Sequence, residues 1–251
     1  MPDWPQDTLA ALVRPAMAEL VAMTIFTYCG VGCAMTSVGA RTEYPDVRIP
    51  LAFGLTIFVL AYAFGKISGA HINPAVTTSL LLVAKISPQR AFVYILAQMA
   101  GAFLGALALG ISFGELKYSF FGITDYSLGR YGGVLTQGRA FFIEFMLSFL
   151  LLLVVNSTDG AHSAKRKILA PLAIGIAVVI AHVVAVPLTG CGINPARSFA
   201  SCCAAAMFGA PYWTNHWIYW IAPILGGATA TVLWQICFVK KQQVIPQTMQ
   251  Q

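Results

Sequence analysis

The sequence predicts an all-α polytopic membrane protein, with six transmembrane helices plus two re-entrant half-helices in an inverted 3+3 repeat. Three observations carry this. First, 58% of the 251 residues are hydrophobic and only 10% are charged, where a soluble domain carries about 25% charged residues. Second, the charges sit in short clusters between apolar runs long enough to cross a bilayer. Third, one motif occurs twice. Gly69-Ala70-His71-Ile72-Asn73-Pro74-Ala75-Val76-Thr77 is matched by Gly190-Cys191-Gly192-Ile193-Asn194-Pro195-Ala196-Arg197-Ser198, and the two asparagines are 121 residues apart. Pro50-Leu51-Ala52-Phe53-Gly54-Leu55 matches Pro171-Leu172-Ala173-Ile174-Gly175-Ile176 at the same offset. A repeat at one fixed period is read before anything else. The expected halves are 10–112 and 137–239, joined by an outer loop 113–136 and followed by a tail 240–251, all within one membrane domain 1–251.

Taken in order, Met1 to Arg14 has neither the basic start nor the apolar core of a cleaved signal, so no cleavage is expected. The first span is about 16–38, with Glu19 as its only charge. A crossing takes about 20 apolar residues. Arg41, Glu43, Asp46 and Arg48 form a short loop, and the second span is about 49–65. Lys66 to His71 is too polar for lipid, and the apolar run from Ala75 to Ala84 is too short to cross. That combination predicts a re-entrant piece capped by Asn73, with Pro74 in its first turn. The third span, about 91–112, carries the small-residue face Gly101 to Gly105. The loop 113–136 follows, its aromatics expected on the protein surface or at the membrane interface. The fourth span is about 139–156 and contains Glu144; Asn156-Ser157-Thr158 is a glycosylation tripeptide on the inner side. The fifth span is about 168–187, the second re-entrant piece 189–206, and the sixth span 217–239, with Trp217, Tyr219 and Trp220 marking an interface.

Six spans put both termini on one side. Arg14, Lys66, Lys85, Arg90, Lys165, Arg166, Lys167, Lys240 and Lys241 fall inside if the termini do, against Arg41, Arg48, Lys117, Arg130, Arg139 and Arg197 outside, a modest bias of the kind the positive-inside rule favours. Both termini are therefore expected in the cytoplasm. Three spans per half force the halves to be inverted, so the re-entrant pieces meet near the midplane. The net charge of +6 lacks the aromatic-laced basic stripe of a nucleic-acid binder and suits anionic lipid. The six cysteines are scattered through apolar segments and are expected as free thiols.

Each motif asparagine can cap a half-helix with its oxygen and keep amide donors for a passing oxygen. The positive ends of both half-helices point to the same place and repel cations. Arg197 is a charge at membrane depth, a functional residue by default; Val76 holds its place in the first copy. His182, in the fifth span, either lines a passage or is a packed histidine bonded to a carbonyl. Glu19 and Glu144 either form a proton relay or accept N–H donors from uncoiled backbone beside each half-helix. The second role is preferred, because each span has a single acid.

With Ser68 to Thr77 and Thr189 to Phe199 on the page, the sequence resembles an aquaporin of the major intrinsic protein family, in its water-selective branch. The similarity runs from about residue 14 to 240. The resemblance implies an aquaporin-like fold and a passive water channel driven by osmotic gradients that excludes ions and protons. It implies an outer selectivity filter of Phe53, His182, Cys191 and Arg197, and a central region of Asn73, Pro74, Ala75, Asn194, Pro195 and Ala196. Ser198 stands where glycerol channels have Asp, and Cys202 where water channels often have Ala. Cys191 would be a mercury-reactive thiol at the pore mouth. The resemblance further implies a homotetramer in the plasma membrane, with water as permeant and lipids as neighbours, and no enzyme activity, cofactor, metal or nucleic-acid partner. A channel for hydrogen peroxide, ammonia, carbon dioxide or glycerol stays open as an alternative. So do a structural or adhesion role and an ion-coupled transporter. The loop 156–167, with His162 and Ser163 beside a basic run, is either a gate or a solvated lipid anchor.

Overall fold

A computed structural model describes residues 7–37, 46–113, 122–127, 134–159, 164–207, 209 and 212–239. Among them are eight helices: α1 (Leu9–Ser37), α2 (Arg48–Phe64), α3 (Pro74–Leu82), α4 (Pro88–Phe113), α5 (Gln137–Asp159), α6 (Ala164–Thr189), α7 (Pro195–Met207) and α8 (Ile218–Cys237). Arg41, Glu43, Glu115, Lys117, Arg130, His162, Ser163 and the tail from Lys240 lie outside the described residues.

Helix starts follow local chemistry. Thr8 caps α1, its hydroxyl oxygen accepting from Ala11 N at 3.3 Å, so the helix begins several residues before the apolar run. Ser87 caps α4 in the same way, accepting from Arg90 N at 3.0 Å, with Pro88 in the first turn. Five helices, α1, α4, α5, α6 and α8, contain stretches long and apolar enough to cross a membrane. α2 has 17 residues, about 25 Å of helix. It ends at Phe64 because the chain unwinds into the polar stretch before Asn73.

The packing maps onto itself when α1–α4 are exchanged with α5–α8. α1 packs on α4 as α5 packs on α8; α1 meets α2 as α5 meets α6; α4 touches α7 as α8 touches α3; and α2 lies against α6. Small residues allow these approaches. A Cβ on Gly101 would lie 2.4 Å from the Leu20 carbonyl oxygen of α1. Gly54 and Gly175, 121 residues apart, press on each other's backbone: a Cβ on either would sit 2.6 or 2.7 Å from the other's carbonyl oxygen.

The outside is apolar. Val59, Phe92, Ile111, Val183 and Ile236 are more than half exposed, while Glu19, Gln98, Glu144, Asn194 and Arg197 are buried. This inside-out distribution suits lipid rather than water as the surrounding solvent. All six cysteines are free.

One expectation is corrected. Tyr219 has no exposed surface and donates its hydroxyl to the Thr189 carbonyl at 2.9 Å, so it braces the second motif and does not mark an interface; Trp217 is half exposed. In the connecting loop Gly122 to Asp125 are buried, Tyr126 is half-buried and Val134 is exposed. The tripeptide at Asn156 is also closed to modification. Its amide donates to the Leu152 carbonyl and to Thr231 Oγ1 at 2.6 and 2.8 Å.

Candidate functional site

The site grows from two short stretches of unwound chain that share one conformation. Gly69 and Gly190 have φ of 89° and 80°; Ala70 and Cys191, 49° and 56°; Ile72 and Ile193, 51° and 45°. Four of these six are non-glycine residues in the left-handed region, each costing roughly 1–3 kcal/mol. The fold must hold them there, and the two buried glutamates do.

Glu19 accepts from Ser68 Oγ at 2.6 Å, His71 N at 2.9 Å, Ile72 N at 2.7 Å and Gln98 Nε2 at 2.8 Å. Glu144 accepts from Thr189 Oγ1 at 2.6 Å, Gly192 N at 2.9 Å and Ile193 N at 2.7 Å. Ser68 and Thr189, His71 and Gly192, and Ile72 and Ile193 are each 121 residues apart. Both carboxylates thus spend their lone pairs on donors that a broken helix leaves free, which favours the bracing role over a proton relay.

The asparagines meet back to back. Asn73 Oδ1 accepts from Ala75 N at 2.8 Å, and its amide donates to the Ile193 carbonyl at 2.9 Å. Asn194 Oδ1 accepts from Ala196 N and Arg197 N at 3.1 and 3.3 Å, and its amide donates to the Ile72 carbonyl at 2.8 Å. Each asparagine therefore clasps the other copy and has one amide N–H left over. Pro74 and Pro195 begin the half-helices, and Ala75 and Ala196 are fully buried behind them.

A cavity of about 1000 Å³ leads to this clasp from the end marked by Tyr62, Lys66 and Thr158. Val76, Leu151, Val155 and Val178 line its apolar wall, and Gly69, Ala70, His71, Gly192 and Ile193 its polar one. It passes Asn73 and Asn194 and reaches His182.

Beyond that point four side chains close ranks. The Phe53 ring stacks on His182 with centroids 4.3 Å apart and planes 21° from parallel. The Arg197 guanidinium lies over Phe53, 4.8 Å from its centroid. Phe53 and Cys191 have no exposed surface, and His182 and Arg197 have 1% each, so the rings touch with no water-sized gap beside Phe53. Arg197 donates through Nη1 to the Gly122 carbonyl at 2.7 Å and Ser201 Oγ at 2.9 Å, and through Nη2 to the Gly190 carbonyl at 3.2 Å. No carboxylate is among these partners. His182 Nδ1–H donates to the Val178 carbonyl at 2.9 Å, and Nε2 is buried without a partner among the described residues. The packed reading thus accounts for one nitrogen, tied to backbone, while the other has no partner among the described residues.

Sequence reasoning missed Gly122, Ser201 and Gln98, and assigned Tyr219 to an interface instead of to the second motif. Gly122, at φ 60°, offered only a glycine in a loop. Gln98, which bridges Glu19 and Thr77 Oγ1, was a visible signal: an amide inside an apolar span. Among the described residues no group of three or more His, Cys, Asp or Glu side chains is placed to hold a metal ion.

The profile described as "Major intrinsic protein" matches residues 7–234. The chain belongs to the major intrinsic protein family. As a major intrinsic protein it is an integral membrane channel and not an enzyme. It is 40% identical over 226 residues to aquaporin-1 of Pongo abelii, covering 88% of this chain and 80% of that one. It is 36% identical over 224 residues to aquaporin-5 of Homo sapiens, covering 89% and 80%. In fold this major intrinsic protein is similar to the aquaglyceroporin of Plasmodium falciparum, with a TM-score of 0.78 at 23% identity, over 90% of this chain and 97% of that one.

Proposed function

We propose that the chain is a passive water channel whose selectivity filter is Phe53, His182, Cys191 and Arg197 and whose centre is the Asn73–Asn194 clasp. The observation that carries it is the ring itself: the Phe53 and His182 rings in contact, a buried arginine over Phe53, and a histidine nitrogen without a partner among the described residues, all at the end of a long cavity. The architecture in this reading is six crossing helices, with α2 the shortest, and two re-entrant half-helices, α3 and α7. The halves 10–112 and 137–239 are inverted, and the termini face the cytoplasm. The exchange symmetry of the packing and the matched bonds of Glu19 and Glu144 support it.

Water enters through the wide cavity and loses neighbours as the wall narrows. The unpaired amide N–H groups of Asn73 and Asn194 donate to its oxygen at the centre. The positive ends of α3 and α7 point to the same place and oppose cations. At the filter the Phe53–His182 stack must part for a molecule to pass, which sets the size limit near one water. Arg197 and His182 replace the hydrogen bonds given up there, and Arg197 adds a charge barrier to cations. A central water oriented by two donors cannot relay a proton in order. The ring's closeness also supports exclusion of glycerol. Assembly as a homotetramer, with one pore per subunit, belongs to the same reading and rests on the family.

The test is osmotic shrinkage of liposomes carrying the purified protein, with impermeant sucrose and with glycerol run in parallel. Fast water efflux with a low activation energy and no glycerol entry is expected. Shrinkage at the rate of empty liposomes, or rapid glycerol entry, contradicts the reading.

A further inference from the structure

The Phe53 ring is held from behind as well as in front. Gly30, buried in the middle of α1, faces its edge. A Cβ built on Gly30 would lie 2.3 Å from Phe53 Cε1, 2.4 Å from Cδ1 and 2.9 Å from Cζ, and all three nearest atoms belong to that one ring. Phe26, one turn earlier on the same helix, packs edge-on against the ring at 5.4 Å. His182 stacks on it at 4.3 Å and Arg197 sits over it at 4.8 Å. The ring thus occupies the niche left by a missing side chain, between α1 on one side and His182 and Arg197 on the other.

Helix formation does not explain glycine here, because Ala is the better residue in a helix interior. The repeat does not require it either. Counted from Glu144 as Gly30 is from Glu19, the matching residue of α5 is Val155.

We propose that Gly30 is the positioning residue of the filter: by giving the Phe53 ring a seat on α1, it sets how far the ring stands from His182 and Arg197. This rests on the reading of those residues as the filter. Any side chain at position 30 drives the ring off α1 and into the passage. The atoms displaced are the far end of one side chain, so the helix packing is spared and the effect falls on permeation.

The experiment compares the full-length native protein, Gly30→Ala, Phe53→Ala and Gly30→Ala/Phe53→Ala in liposomes, reading water flux under a sucrose gradient and glycerol entry. Gly30→Ala is expected to cut water permeability about tenfold, and the double variant to return to within about twofold of Phe53→Ala in both water and glycerol flux. Monodisperse elution of each variant checks folding. If Gly30→Ala alone fails to fold and the double variant folds, the contact through Phe53 is supported as well. Gly30→Ala flux equal to native, or a loss that persists in the double variant, whether of flux or of folding, overturns the proposal. Native protein that conducts no water would instead refute the filter reading on which it stands.

Discussion

Arg197 is buried with three oxygens around it, two of them backbone carbonyls, and nothing in that set neutralises its charge. Arg197→Val removes a cation and a volume at one step and leaves the Gly122 and Gly190 carbonyls without their donor. Stability is expected to fall by about 1–3 kcal/mol, read as a lower unfolding midpoint in detergent, while glycerol begins to pass the ring. Cys191 has no exposed surface, so mercuric ion reaches its thiol only when the side chains that cover it move. Mercuric ion is expected to block the native channel and leave Cys191→Ser conducting. Block of equal strength in that variant would move the site to another thiol, such as Cys202, whose Sγ–H donates to the Tyr212 carbonyl. Much at this scale was legible: a charge, a histidine and a doubled asparagine inside apolar sequence announce themselves. The Gly122 carbonyl and Gly30 did not, because a backbone oxygen and a missing side chain leave no mark in a residue pattern.

The two half-helices depend on the glutamates that hold the unwound chain before them. Glu144→Ala leaves the buried Gly192 and Ile193 N–H groups unmatched, at about 1–3 kcal/mol each, and is expected to abolish recovery of folded protein. Glu144→Gln keeps one acceptor oxygen and is expected to yield folded protein of lower stability. Equal recovery of Glu144→Ala and native protein would contradict the bracing role. At the start of α4 a second contact ties down the chain before α1. Asp7 is nearly buried, bonded to Ser87 Oγ and to the Arg90 guanidinium, whose Nε approaches at 3.2 Å. Arg90, and then Ser87, hold its carboxyl below the ordinary carboxylate value against the opposing effect of burial. A lowered value means that the tie is complete at neutral pH and is lost only as the pH falls through that value. Proteolysis near the N-terminus is expected to be flat down to about pH 5 and to rise below about pH 4, and Asp7→Asn is expected to raise it at neutral pH. Element types and order could be read from apolar run length. Element ends could not, because Thr8, Ser87 and Thr136 cap helices from polar positions outside the runs.

Across the whole molecule, one pattern of contacts serves both halves while the chemistry differs between them. Val76 stands where the second copy has Arg197, Ile174 where the first has Phe53, and Val155 where α1 has Gly30. The paired motifs made the repeat readable, since one offset recurs from Pro50 to Thr77 and from Pro171 to Ser198. The buried turn of the connecting loop was not readable, because its role comes from Arg197, 75 residues on. The central claim is that size and charge are sorted at one ring at the end of the cavity. The most direct test is stopped-flow light scattering of liposomes containing native protein, His182→Gly or Arg197→Val, with sucrose and glycerol gradients in parallel. The account predicts fast water flux in all three and glycerol entry in the two variants alone. Variants that exclude glycerol as completely as the native protein, while still conducting water, would place the filter elsewhere.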